Sequence, residues 1–231
     1  MKRLTLLTAI IAATATLSGQ AMAREAGDII VRAGAATVDP SGVESDEITL
    51  NGTGLGAEVN NIDSSTQLGL TFTYMVTDQI GLDLLAATPF EHDIKAQGLE
   101  GLGINKVGST KHLPPTLSVQ YHPMGGSDSK FQPFLGLGLN YTTFFDEDAS
   151  GELETALGEK YDLDLDDSWG MAFQAGADYF ITDNLAVNAT VWKLNIQTEA
   201  EFKGKNSGNR IKAKDVDINP WVYMVGLGYR F

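Results

Sequence analysis

Apolar and polar residues alternate with period two through most of the chain beyond its first 27 residues, in segments of about ten separated by polar stretches. This is the pattern of β-strands with one face in an apolar environment. In 66–76, Leu68, Leu70, Phe72, Tyr74 and Val76 are all apolar, whereas Gln67, Gly69, Thr71, Thr73 and Met75 are mostly small or polar. The segment 168–181 sets Trp169, Met171, Phe173, Ala175, Ala177, Tyr179 and Ile181 against Gly170, Ala172, Gln174, Gly176, Asp178 and Phe180. The segment 131–145 likewise sets Leu135, Leu137, Leu139 and Tyr141 against Phe134, Gly136, Gly138 and Asn140, so glycine falls repeatedly on the less apolar face. With 28–38, 80–88, 111–122, 185–195 and a closing stretch from 215, these segments predict eight strands.

The connections alternate in length. Those at 77–79, 122–130 and 182–184 are short or moderate, and those at 39–65, 89–110, 145–167 and 196–214 are long and rich in Gly, Asp, Glu, Asn or Lys. This layout predicts an all-β, eight-stranded antiparallel transmembrane β-barrel with short periplasmic turns and long extracellular loops. A soluble β-sandwich also alternates, but it gives no reason for aromatics to gather at strand ends. The closing WVYMVGLGYRF has Trp221 and Tyr223 at one end of its outward face, Val225 and Leu227 in the middle, and Tyr229 and Phe231 at the other end. Amphipathic rings settle at the two membrane interfaces, with aliphatic groups between them. At ~3.3 Å per residue the strand is about 36 Å long. Tilted by about 40° it spans roughly 28 Å, close to the ~25 Å apolar band of such barrels. Trp169 and Tyr179 are expected to join the same girdle.

The first 23 residues have Lys2 and Arg3, an apolar run to Leu17, and Ala21-Met22-Ala23 as a small-residue cleavage site. This is the pattern of a secretory signal peptide, with an apolar run too short to cross a bilayer. The expected division is therefore a leader at 1–23 and a barrel at 24–231. The mature chain would hold 14 basic against 30 acidic residues, a formal charge of −16. That charge repels nucleic acid. There is no cysteine, so stability must come from backbone pairing and apolar burial.

The segments KHLPPTLSVQYHP (111–123), PFLGLGLNYTTFF (133–145), SWGMAFQAGADYFITDNLAVN (168–188), IGLDLLAATPFEHDI (80–94) and the closing GLGYRF resemble the outer membrane protein W family of small eight-stranded barrels. The likeness spans essentially all of 24–231 and is weakest near 37–65 and in the acidic stretch 146–167. It implies an integral protein of the bacterial outer membrane, in contact with its lipids and lipopolysaccharide. The final Phe231 is similar to the C-terminal aromatic through which such barrels engage the barrel-assembly machinery. Together with relatives linked to alkane uptake, the family implies a narrow apolar channel for small hydrophobic solutes, passive and without a cofactor, with release sideways into the membrane.

Eight strands leave an interior wide enough only for side chains or one small ligand. Met75, Leu85, Phe134, Phe144, Trp192 and Met224 fall on the inward set, where they either line a pocket for an apolar ligand or simply fill the barrel. Pro114 and Pro115 cannot donate to a ladder. They either open a lateral exit or mark a strand start above the membrane. The stretch 146–167 carries ten acids and one lysine, without the ligand spacing of a metal motif, and a short helix capped by Ser150 is expected within it. His92, His112 and His122 are far apart in sequence, and neither a G-x-S-x-G nor an H-E-x-x-H motif occurs, so catalysis is not expected. The competing expectation is a structural or adhesive barrel with a filled lumen, whose acidic loops do the work.

Overall fold

A computed structural model describes residues 24–40 and 42–231; the leader expected at 1–23 lies outside the described residues. The strands are β1 (Ile29–Asp39), β2 (Thr49–Leu50), β3 (Thr53–Gly54), β4 (Glu58–Ile62), β5 (Ser65–Met75), β6 (Ile80–Ala87), β7 (Phe90–Gln97), β8 (Lys106–Leu113), β9 (Thr116–Tyr121), β10 (Phe131–Ala149), β11 (Tyr161–Leu165), β12 (Ser168–Phe180), β13 (Leu185–Leu194), β14 (Gln197–Gly204), β15 (Arg210–Asp217) and β16 (Trp221–Arg230). A 3-10 turn at Glu100–Leu102 and one short helix, α1 (Gly151–Leu157), complete the described elements.

Eight of the strands close on themselves. β1, β5, β6, β9, β10, β12, β13 and β16 pair antiparallel in that order, and β16 returns to β1 from Ile30↔Arg230 to Asp39↔Trp221. Closure removes the sheet edges, so the spanning strands pair their backbone groups with one another without water. The outward face exposes Leu68, Leu70, Phe72, Leu82, Leu84, Leu117, Val119, Leu135, Leu137, Leu139, Val225 and Leu227. Apolar exposure on this scale is unstable in water and stable only against lipid. Aromatic rings flank the band. Tyr141 and Trp169 (4.7 Å between centroids) lie with Trp221 and Tyr223 at one rim, and Tyr229 and Phe231 (4.7 Å) lie with Tyr179 at the other.

The long connections differ from the irregular loops expected of them. They hold β2, β3, β4, β7, β8, the far end of β10, α1, β11, β14 and β15, which form a second tier stacked on the barrel beyond the Tyr141–Trp169 rim. The expected strand at 111–122 is two strands broken at Pro114 and Pro115, and the closing strand begins only at Trp221, after Pro220. In this tier the polarity of the two faces reverses. Phe90, His92, Ile94 and Ala96 of β7 point inward, as do Leu163 and Leu165 of β11 and Ala200 and Phe202 of β14. The outer faces carry charge, for example Glu201 beside Arg210 (3.0 Å), Lys203 and Lys212 (both 3.4 Å). Water outside and an apolar core inside require this inversion, so the level where it occurs marks the membrane edge.

Glycine on the inner barrel face answers to crowding. A Cβ on Gly176 would lie 2.5 Å from the Phe134 ring, and one on Gly226 would lie 2.1 Å from the Ala33 carbonyl oxygen of the neighbouring strand. At Gly176 the filled lumen excludes even a methyl group, and at Gly226 the close approach of the β1 backbone does so.

Candidate ligand cavity

Within the second tier lies an apolar cavity of about 270 Å³, walled by residues that include Ile48, Ile94, Leu99, Leu153, Phe202 and Ile211. Leu153 reaches it from α1. This helix starts where Ser150 Oγ accepts from the Leu153 amide (3.0 Å), as a capping serine should, and ends at Gly158 in the left-handed region. Glu152 fastens the helix to the β7–β8 connection by accepting from the Asn105 and Lys106 amides (2.8 and 3.0 Å), which holds its carboxyl below the usual range. Towards the barrel the cavity narrows to a crevice of about 30 Å³ that shares Val59, Ile94 and Ala200 with it and is lined further by His92, Thr110, His112, Phe144 and Leu165.

His92 and His112 face each other in this crevice, Nε2 to Nε2 at 2.9 Å, with His92 Nδ1 against the Asp63 carbonyl oxygen at 2.5 Å. Phe90 and Phe144 pack on the His112 ring at 5.6 and 6.0 Å. Burial among apolar side chains pushes both imidazoles down, His112 to about 3, so the pair is neutral at physiological pH.

Beneath this apolar space the lumen is closed. Arg32 of β1 reaches across to Asp178 of β12 through Nε (2.9 Å) and Nη2 (2.6 Å), and Arg24 adds a third bond to the same carboxylate (2.8 Å). Asn188 supplies a fourth (2.8 Å). From Arg32 the chain of contacts continues through Thr73 (2.7 Å) and Asp83 (2.6 Å) to Gln174 (3.3 Å) and Gln120 (3.0 Å). It returns through His122 (3.1 Å from Gln120), which receives a bond from Arg24. Side chains from six strands thus form one network across the barrel, and the Arg32 guanidinium lies 4.9 Å over the Phe134 ring. Arg24, Arg32, Asp83 and Asp178 are each no more than 1% exposed. The matched charges explain how ionisable groups are tolerated at this depth.

The wall of the barrel is interrupted beside the crevice. β10 pairs with β12 up to Thr142↔Ser168 and with β11 only at Asp148↔Asp162, leaving Thr143 to Glu147 without backbone partners on that side. Side chains strap the gap: Asp167 accepts from the Phe144 amide (3.3 Å) and from the Tyr141 hydroxyl (2.5 Å), and Glu147 accepts from the Leu165 amide (3.1 Å). Phe144 and Leu165 line the crevice from either side of this gap.

A family model described as the OmpW family matches residues 25–231. The chain belongs to the OmpW family. Outer membrane protein W of Vibrio cholerae is 47% identical over 93% of both chains, and that of Escherichia coli is 46% identical over the full length of both. The crystal structure of the outer membrane protein OprG from Pseudomonas aeruginosa is 47% identical, covers 90% of this chain and 98% of its own, and superposes with a TM-score of 0.83. Like these, the chain is an integral β-barrel of the outer membrane.

In this OmpW-family barrel the six inward residues separate into two groups. Met75, Leu85, Phe134, Trp192 and Met224 are buried in the barrel at no more than 3% exposure, and none of them lines the cavity or the crevice. Phe144 alone reaches the apolar space. Pro114 and Pro115 sit at the β8–β9 break, where the Pro115 carbonyl still accepts from the Tyr141 amide (3.0 Å), so the longer interruption lies on the other side of β10. Trp169, Tyr179, Trp221, Tyr223, Tyr229 and Phe231 all face outward. The acids of 146–167 mostly accept hydrogen bonds or pair with lysines, and among the described residues no group of three or more His, Asp or Glu could hold a metal. The Arg24–Arg32–Asp178 circuit and the histidine pair carry the site yet were not read from sequence. For Arg32 and Asp178 the signal is charge on strands otherwise fit for lipid, which marks an inward functional or packing position; the neutral histidines of β7 and β8 carry no such signal.

Proposed function

We propose that small hydrophobic molecules enter the second-tier cavity from outside the cell and pass sideways into the membrane between β10 and the β11–β12 junction, by diffusion and without a cofactor. The observation that carries this reading is an apolar cavity resting on a closed polar lumen. A molecule without charge gains from the cavity and would have to break the Arg32–Asp178 circuit to continue along the axis. The strapped gap at Thr143 to Glu147 supplies the sideways alternative, and lateral release there needs only side chains to move. Uptake of an apolar fluorescent probe into liposomes holding the purified protein tests it. Ala200 borders both cavity and crevice. Ala200→Trp should therefore return uptake to the rate of protein-free liposomes while the barrel stays folded.

A second reading has its own support. The packed lumen is what a structural or adhesive barrel requires, with the charged outer faces of the second tier as its working surface. Wild-type protein that fails to speed uptake of any apolar probe would favour it.

A further inference from the structure

Among the described residues, five buried side-chain polar atoms have no hydrogen-bond partner: Arg24 Nε, His112 Nδ1, Ser118 Oγ, Gln132 Oε1 and Trp192 Nε1. Only His112 also lines the apolar space. Its protonation pattern follows from its neighbours. The Asp63 carbonyl can only accept, so His92 Nδ1 carries the hydrogen and His92 Nε2 presents a lone pair. The 2.9 Å contact between the two Nε2 atoms then requires the hydrogen on His112 Nε2. His112 Nδ1 is left as a bare acceptor in a wall that is otherwise apolar or already paired. The remaining polar lining groups, Thr110 and Thr198, donate to backbone carbonyls, Thr198 to that of Asp166 at 2.6 Å. His112 therefore brings a buried, vacant acceptor to the crevice lining, and no lining side chain brings a vacant donor.

We infer that His112 Nδ1 is a specificity element, selecting among small apolar molecules those that carry one neutral hydroxyl-type donor over plain hydrocarbons and over carboxylates. The apolar body would lie in the larger cavity, and the hydroxyl would reach through the shared Val59–Ile94–Ala200 boundary to the imidazole. A hydrocarbon leaves this acceptor unsatisfied, which is the costly half of a broken hydrogen bond. A carboxylate meets acceptors only and is left without a donor in a dry site. The histidine pair is held rigidly enough to discriminate, since Phe90 and Phe144 flank the His112 ring and the Asp63 carbonyl anchors its partner.

The inference rests on the proposed uptake of hydrophobic molecules into this cavity, and its test separates the two. Protein with ¹⁵N-labelled histidine in lipid nanodiscs is titrated with 1-octanol, n-octane and octanoate, and the His112 Nδ1 resonance and the methyl resonances of Ile94 and Leu153 are followed. The expected result is that both octanol and octane shift the methyl signals, only octanol moves Nδ1 in the direction of an accepted hydrogen bond, and octanoate does neither. In His92→Phe/His112→Phe, which keeps both rings and leaves no bare imidazole acceptor, the octanol-to-octane affinity ratio should fall about 5- to 10-fold, the worth of one hydrogen bond. Methyl shifts with both ligands but no octanol-specific movement of Nδ1, or an affinity ratio that the double variant leaves intact, overturns the role of His112 while the cavity reading stands. If neither ligand shifts the methyl signals, the cavity reading fails and this inference fails with it.

Discussion

Replacing Asp178 by Asn tests whether the lumen is closed by charge pairing. The carboxylate accepts four bonds, at 2.9, 2.6, 2.8 and 2.8 Å, from Arg32 Nε, Arg32 Nη2, Arg24 Nη2 and Asn188 Nδ2. Its side chain and that of Arg24 are fully buried, and that of Arg32 is 1% exposed. Asparagine keeps the shape, removes the charge and turns an amide donor towards two guanidinium groups that also donate. The nearest remaining carboxylate, Asp83, is 3.8 Å from Arg32. Removing one partner of a buried pair costs about 3–5 kcal/mol because the other charge stays buried and unpaired. Urea unfolding of the barrel in lipid vesicles should therefore show a loss of about 3–5 kcal/mol. Planar-bilayer recordings should show ion conductance in the variant that the wild type lacks, as water enters to solvate the freed guanidinium groups. A variant within about 1 kcal/mol of wild type, in the range of an exposed pair, and electrically silent would refute the view that this circuit closes the barrel.

Three further outcomes follow from the same geometry. Thr143 and Asp167 occupy the next register position beyond the last β10–β12 pair, in a chain without cysteine. A Thr143→Cys/Asp167→Cys protein should lose apolar-probe uptake on oxidation and regain it on reduction, whereas uptake insensitive to the disulfide would rule out a sideways route there. His112 is held near 3 in the folded protein against 6.5 when unfolded, and His92 is lowered too, both first by burial. The His112 contribution is therefore complete above pH 6.5 and is lost as pH falls from 6.5 towards 3, by about 1.4 kcal/mol per pH unit for the proton taken up only on unfolding, and that of His92 changes in the same direction. Amide exchange in β7 and β8, corrected for intrinsic rates, should quicken from pH 7 to pH 5 and do so less in His112→Phe. Finally, Gly176→Leu drives a side chain into the Phe134 ring and should cost about 1–3 kcal/mol, most of it recovered in combination with Phe134→Ala; purely additive losses would mean the two do not share space.

The membrane-spanning strands were legible because lipid imposes one rule on all of them. A strand with aliphatic residues on every second position and aromatics at its ends can be placed by depth, as β16 is, and alternation alone marks β5, β10 and β12 as strands. The second tier obeys the same period with its faces exchanged. Segments such as FEHDIKAQ in β7 or YDLDL in β11 carry their acids and lysines on the face that meets water, so composition reads as a solvated loop while the alternation reads as a strand. The acidic composition of 146–167 masks the strand register of Tyr161, Leu163 and Leu165, of which Leu165 lines the crevice. The site itself was partly out of reach for a different reason. That Phe144 faces inward follows from parity, but whether an inward residue meets empty space or another side chain depends on what arrives from across the barrel. Trp192 and Phe144 look alike in sequence, yet Trp192 is buried in packing and Phe144 borders the crevice. Such pairings between strands remote in sequence, as between His92 and His112 or Arg32 and Asp178, are set by closure of the sheet, and no local pattern encodes them.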